Sequence, residues 1–223
     1  MSEKPRLPKS SDRLTNIGRT GTGKTVAALW HLSRRNLKHE PWVAIDTKGD
    51  DHINAIENAK HVSLDFAPDE KSKGLYVVHP LPNETEALDA FLWRLWARGD
   101  IGIFVDEGYM CDTEAFQAIL TQGRSKGIPV FTNTQRPVWC SRFLFSEGTF
   151  IQCFGLNDKR DRQTVESFVP VEAEEIRKLK KYHSFYYDVG EDRLWKFAPV
   201  PPVEEIIGRI DEQLSTKRKK VLV

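Results

Sequence analysis

The chain is poor in cysteine, in long apolar runs and in net charge of either sign. Its three cysteines, Cys111, Cys140 and Cys153, are odd in number and widely spaced over 223 residues. That spacing excludes a disulfide framework and lacks the closely paired Cys or His ligands of a structural metal site, so free thiols in a reducing compartment are expected. No apolar run approaches the ~18 residues of a membrane span, and the polar stretch before Leu14 has no signal-peptide core. A cytoplasmic chain without a membrane segment is the expectation. With 33 Lys+Arg against 32 Asp+Glu, the formal charge is +1. This balance neither requires nor excludes nucleic acid, because a binding surface needs basic residues only where it meets the phosphates. The one strong charge run, Lys217-Arg218-Lys219-Lys220, reads as a solvated tail, with a nucleic-acid or partner contact as the alternative.

What the chain does have is a complete phosphate-binding motif. Gly18-Arg19-Thr20-Gly21-Thr22-Gly23-Lys24-Thr25 fits GxxxxGK[ST]. Glycine at the first, fourth and sixth places lets the backbone curl with its N–H groups inward, where side chains would block a phosphate. Lys24 sets a point charge against the β- and γ-phosphates, and the Thr25 hydroxyl is a Mg²⁺ ligand. A helix expected over residues 25–37 adds its positive N-terminal end.

Short apolar runs alternate with helical patterns along the rest of the chain, the signature of a parallel sheet covered by helices. Strands are expected at residues 14–17, 42–46, 75–79, 101–106, 129–134 and 149–154. Helices are expected at 84–98 and 113–125, the first carrying Leu88, Phe91, Leu92, Leu95 and Trp96 on one face, an ordinary core stripe. Residues 170–181 read as a helix started by Pro170. Runs at 184–189 and 194–197 flank a turn and predict a β-hairpin. Pro199, Pro201 and Pro202 then make a stiff link to a last helix over 203–214. The expected organisation is a P-loop domain over residues 1–198 and a Pro-linked helix with a basic tail over 199–223.

A second motif follows. Ile101-Gly102-Ile103-Phe104-Val105-Asp106-Glu107 is an apolar strand ending in two carboxylates. Buried parallel strands read as continuous apolar runs and present functional groups at their C-terminal ends. Asp106 is placed to hold Mg²⁺ opposite Thr25, and Glu107 to polarise a water for in-line attack on the γ-phosphate. The pair points to ATP hydrolysis rather than passive nucleotide binding.

Downstream, Gly123-Arg124-Ser125-Lys126-Gly127-Ile128-Pro129-Val130-Phe131-Thr132-Asn133-Thr134-Gln135-Arg136-Pro137 resembles the corresponding stretch of the FtsK/HerA superfamily of DNA-pumping ATPases. Ile45-Asp46-Thr47-Lys48-Gly49-Asp50 is similar to its Asp-x-Lys-Gly-Asp pattern. Phe154-Gly155 through Asp161-Arg162-Gln163-Thr164 is similar to its strand-then-helix after the Gln strand. The likeness spans roughly residues 14–170, in order. It implies an α/β P-loop NTPase with a mainly parallel central sheet, of the additional-strand, catalytic-glutamate type, plus a C-terminal hairpin and helix. It further implies that Gln135 senses the γ-phosphate or its attacking water. Arg124 matches the family's arginine finger, which enters the neighbouring subunit's site; Arg136 and Arg142 are lesser candidates. Asp46 and Lys48 are either a sheet-end ion pair or a contact near the phosphates. Most members carry further domains; so little precedes Ile17 here that the chain resembles the compact viral genome-packaging branch. The resemblance then implies a ring oligomer, a hexamer, acting on double-stranded DNA with procapsid or portal-vertex proteins, in host cytoplasm or at the packaging vertex. The basic cluster Lys159-Arg160-Asp161-Arg162 reads as a solvated loop or a channel contact. The competing readings are a bacterial or plasmid DNA translocase and a slow P-loop switch bound to a protein partner.

Overall fold

In the computed structural model, residues 4–9 and 11–215 are described. Nine strands form one sheet: β1 (Arg13–Ile17), β2 (Pro41–Ile45), β3 (Lys60–His61), β4 (Gly74–Val78), β5 (Gly102–Val105), β6 (Val130–Thr134), β7 (Phe150–Phe154), β8 (Ser184–Asp188) and β9 (Arg193–Phe197). Their spatial order is β3-β4-β2-β5-β6-β1-β7-β8-β9. The first seven run parallel, and the hairpin β8–β9 joins antiparallel to β7. All six expected strands and the hairpin are present. The hairpin extends the main sheet rather than standing apart, because β7 offers it a buried edge that aromatic residues of β8 can cover.

Strand alternation divides the core into two faces. On one, Val43, Ile45, Ile103 and Val105 pack under Leu88, Phe91 and Leu95 of α3 (Thr85–Arg98) and Phe116 and Ile119 of α4 (Glu114–Gln122). On the other, Leu14, Ala44, Phe104 and Phe131 meet Ala28, Leu29 and Leu32 of the first helix, α1 (Lys24–Leu32), and Ile206 and Ile210 of the last, Val203–Leu214. Burying each large apolar side chain is worth about 1.5–3 kcal/mol, so β5, apolar on both faces, is anchored from both sides. Gly102 of β5 lies against the Trp42 ring, where an added Cβ would fall 2.2 Å from ring atoms.

Several boundaries differ from expectation. Helix α1 ends at Leu32, five residues early: Ser33 Oγ donates to the Trp30 carbonyl at 2.8 Å, and Arg34 and Arg35 form three-residue turns. The polar Ser33-Arg34-Arg35-Asn36 run breaks the helical period, and the turn drops Leu37 fully into the core. Thr113 caps α4 by accepting from the Phe116 N–H at 3.2 Å, so the helix starts one residue late. It stops at Gln122, and Gly123–Lys126 is a 3₁₀ turn closed by Gly127 at φ 67°. Only Ala173–Arg177 of residues 170–181 is helical. Two further short helices, Asp51–Asn54 and Phe143–Ser146, and β3, carry too few residues to show a period, whereas Lys159–Glu166 is the helix that the likeness over 154–164 implied after β7. In chain order the helices are therefore α1, α2 (Asp51–Asn54), α3, α4, α5 (Phe143–Ser146), α6 (Lys159–Glu166), α7 (Ala173–Arg177) and α8 (Val203–Leu214). The basic run at 217–220 lies outside the described residues. Among the described residues no helix is long and apolar enough to cross a membrane.

Candidate active site

The parallel topology brings the C-terminal ends of β1, β5 and β6 side by side, with β2 next to β5, so the segments that follow these strands share one rim. After β1, the chain enters the loop of residues 18–25. Gly18 N–H donates to the Thr134 carbonyl at 3.1 Å and Arg19 N–H to the Gly155 carbonyl at 3.2 Å, tying the loop to β6 and to the end of β7. Gly21 and Gly23 have φ of 75° and 96°, values that disfavour any side chain. A Cβ at Gly18 would sit 2.7 Å from that of Phe154. Inside the loop, Thr22 Oγ1 donates to the Arg19 carbonyl at 2.7 Å. Thr20 Oγ1 donates to Gln135 Oε1 at 2.6 Å. Lys24 opens α1 and its ammonium donates to the Arg19 carbonyl at 3.2 Å. Burial lowers its pKa to about 8, opposed by the charges of Glu107 and Asp106 and reinforced by Lys48.

Asp106 and Glu107 follow β5, as expected. Asp106 Oδ1 accepts from Thr25 Oγ1 at 3.0 Å and from Asn133 Nδ2 at 2.8 Å. Burial lifts this carboxyl to about 6, with the Asn133 hydrogen bond acting the other way. Asn133 is in turn fixed by Asn16, whose Nδ2 donates to its Oδ1 at 3.0 Å. This three-residue chain crosses the middle of the sheet from β1 through β6 to the end of β5. Glu107 is fully buried. Its Oε1 accepts the backbone N–H of Gln135 at 3.0 Å, and its Oε2 pairs with the Lys48 ammonium. Lys24, Thr25, Asp106, Gln135 and Lys48 line one cleft of about 230 Å³. Beside it, a more apolar hollow of about 390 Å³ shares Gly21, Gly23, Val26 and His52 and is walled by Tyr182 and the 198–203 segment. Tyr182 holds a left-handed backbone at φ 65°, and its ring lies over Gly23.

Other expected residues lie elsewhere. Arg124 is exposed on the turn before β6, near Arg13, the first residue of β1, whose pKa is lowered by burial and further by the Arg124 charge. That is the opposite end of the sheet from the loop, so Arg124 does not join Lys24 within one subunit. Arg136 is engaged by Asp161 at 3.0 Å and lies over the Trp139 ring. The cluster at 159–162 is not a loop but opens α6: Asp158 caps it, while Asp161 and Arg162 are buried and paired with Arg136 and Glu174. Half of that basic cluster is therefore structural.

The C-terminal-rim placement of a phosphate loop, two carboxylates and a glutamine is what a nucleotide hydrolase requires. Compared with known proteins, the chain is 48% identical over 228 aligned residues to DNA packaging ATPase P9 of Enterobacteria phage PRD1, covering 97% of this chain and 99% of P9. The chain belongs to this family of viral DNA packaging ATPases. Its fold is that of the genome packaging NTPase B204 from Sulfolobus turreted icosahedral virus 2, with a TM-score of 0.70 at 19% identity over 87% of this chain and 99% of B204. The B204 complex with AMPPCP gives 0.68 at 21% identity, over 85% and 98% of the two chains. The conjugation coupling protein TcpA of pCW3, bound to ATPγS, gives 0.59 at 15% identity, over 89% and 65%. No family model matches the chain. The likeness to FtsK/HerA ATPases and to their compact viral branch is borne out, and with it a nucleotide-hydrolysing packaging ATPase over the translocase and switch readings.

Sequence reasoning passed over Asn16, Asn133 and Tyr182 and left Lys48 ambiguous. An Asn inside the apolar runs of β1 and β6 was the available signal, since a buried amide needs a partner.

Proposed function

We propose that subunits of this ATPase assemble as a hexameric ring that hydrolyses ATP to drive double-stranded DNA into a viral procapsid, at the packaging vertex in host cytoplasm. The observation that carries the reading is the split of the machinery. Lys24, Thr25, Asp106 and Gln135 line one cleft, with Glu107 buried behind it on the Gln135 N–H and Lys48, whereas the exposed Arg124 lies at the other end of the strands. A phosphate loop with its carboxylates at one end of the strands and an exposed arginine at the other suit a head-to-tail ring.

Within a subunit, Lys24 and the N–H groups of residues 18–25 hold the β- and γ-phosphates. The base lies in the hollow between Tyr182 and Pro199, Pro201 and Pro202. The Thr25 hydroxyl and the buried Asp106 carboxylate, 3.0 Å apart, are hard oxygen ligands that fit Mg²⁺. That ion, when bound, neutralises phosphate charge. Glu107 accepts a proton from the attacking water and Gln135 orients it. Arg124 of the neighbouring subunit offsets the charge that develops, a contribution of ~10³–10⁵ in rate for related transfers. DNA is gripped through its phosphates, without regard to sequence, and procapsid or portal-vertex proteins hold the ring in place.

Mixing tests the shared site. Arg124→Ala and Lys24→Ala rings are each inactive, and mixed rings regain turnover because some interfaces pair an intact loop with an intact Arg124. Mixtures as inactive as either parent would remove Arg124 from the neighbour's site.

A further inference from the structure

We propose that Lys48 is the group that reads the γ-phosphate, and that without ATP it is stored on Glu107. The proposal rests on Glu107 as the water-activating carboxylate.

The two ends of this ion pair are unequal. Glu107 is fully buried with both carboxylate oxygens taken, one by the Gln135 N–H at 3.0 Å and the other by Lys48. The ammonium on Oε2 competes with any water for that oxygen. The Lys48 side chain is 36% exposed and lines the same cleft as Lys24, Thr25, Asp106 and Gln135.

The backbone beneath Lys48 is fixed. Asp46, 1% exposed, accepts the N–H groups of Lys48, Gly49 and Asp50 at 3.2, 2.9 and 2.9 Å, and Gly49 supplies the φ of 70° that the turn needs. What can move is the four-carbon stem and its ammonium, and rotation about side-chain bonds is enough.

Lys24 and Lys48 already repel one another across the cleft, and Glu107 and Asp106 offset them. A terminal phosphate carries more charge and more acceptor oxygens than one carboxylate, so it draws an ammonium away from Glu107. The exchange leaves Glu107 held by the Gln135 N–H alone, with Oε2 free to take a proton from water. ADP lacks the terminal group, and Lys48 stays on Glu107. Hydrolysis is thereby confined to the ATP-loaded site, and loss of phosphate restores the pair.

The test is equilibrium binding of ADP and of the non-hydrolysable AMPPCP to the assembled protein. Lys48→Met weakens AMPPCP on the order of tenfold or more, the effect of losing one charged hydrogen bond, and leaves ADP within about twofold. Glu107→Gln frees Lys48 and tightens AMPPCP without changing ADP. In a Lys48→Met background Glu107→Gln has no effect on AMPPCP. Retained ADP binding reports an intact fold in every variant. Equal weakening of both nucleotides by Lys48→Met would overturn the proposal, as would a tightening by Glu107→Gln that persists without Lys48. Turnover of Glu107→Gln is a separate readout: an active variant removes Glu107 as the base, whatever the binding shows.

Discussion

Replacing Asn133 by leucine, of similar shape, tests whether the chain Asn16–Asn133–Asp106 holds the catalytic rim. Asn133 makes two side-chain hydrogen bonds, one from Asn16 at 3.0 Å and one to Asp106 at 2.8 Å, and both asparagines are fully buried. Leucine leaves Asn16 Nδ2 without an acceptor and Asp106 Oδ1 with Thr25 as its one side-chain donor. Each buried group left short costs about 1–3 kcal/mol, so the variant loses about 2–6 kcal/mol. That is a large share of a typical stability of about 5–15 kcal/mol. For a domain of this size it lowers Tm by roughly 5–20 °C. The assay is thermal unfolding of the nucleotide-free protein, followed by circular dichroism. The double variant Asn16→Leu/Asn133→Leu sharpens it, because removing both partners leaves no orphan at position 16. The double variant is therefore no less stable than Asn133→Leu alone, and the two changes couple by about 1–3 kcal/mol. An Asn133→Leu protein that melts with the parent, or two changes that simply add, would refute the reasoning.

Other expectations follow from the same structure. Tyr182→Ala removes the ring that walls the base hollow, so ATP and ADP weaken together, by about tenfold for one lost stack, in contrast to the ATP-selective Lys48→Met; titration calorimetry separates the two. His31 is fully enclosed, with Nε2 on Gln152 Oε1 at 3.0 Å and Nδ1 buried without a partner, and burial holds its pKa at about 4. The unfolded chain binds this proton near pH 6.5, so the contribution of neutral His31 is present above that pH. It is lost as pH falls towards 4, by about 3 kcal/mol. Urea unfolding across that window shows the loss, and His31→Asn flattens it; an unchanged profile would place the proton elsewhere.

The legible parts of this protein were those whose signal is local. Three glycines, a lysine and a threonine at fixed spacing specify a loop whatever surrounds them, and the apolar run ending in Asp106-Glu107 specifies a buried strand with its carboxylates at the rim. The helix expected over 84–98 showed itself through five apolar residues at helical spacing and runs from Thr85 to Arg98. Less legible were contacts made by topology. Nothing at position 48 announces Glu107, since the two meet because β2 and β5 are neighbours. Tyr182 reaches the loop because β8, antiparallel to β7, begins at the rim where β7 ends, and the 198–203 segment does so by leaving the hairpin's last strand. The cluster at 159–162 misled for the opposite reason: its charges look solvated in sequence, yet Arg136 and Glu174 arrive from distant segments to pair with them. Helix ends were missed where a polar run ended α1, where a capping threonine began α4, and where Gly123 stopped α4 three residues short of the expected end.

The central claim is that this site couples ATP hydrolysis to moving duplex DNA. The direct measurement is the steady-state ATPase rate of the assembled protein with and without double-stranded DNA, across a salt series. Stimulation by DNA of any sequence, fading as salt rises, is predicted. An assembled ring whose rate does not respond to DNA at low salt would contradict the account.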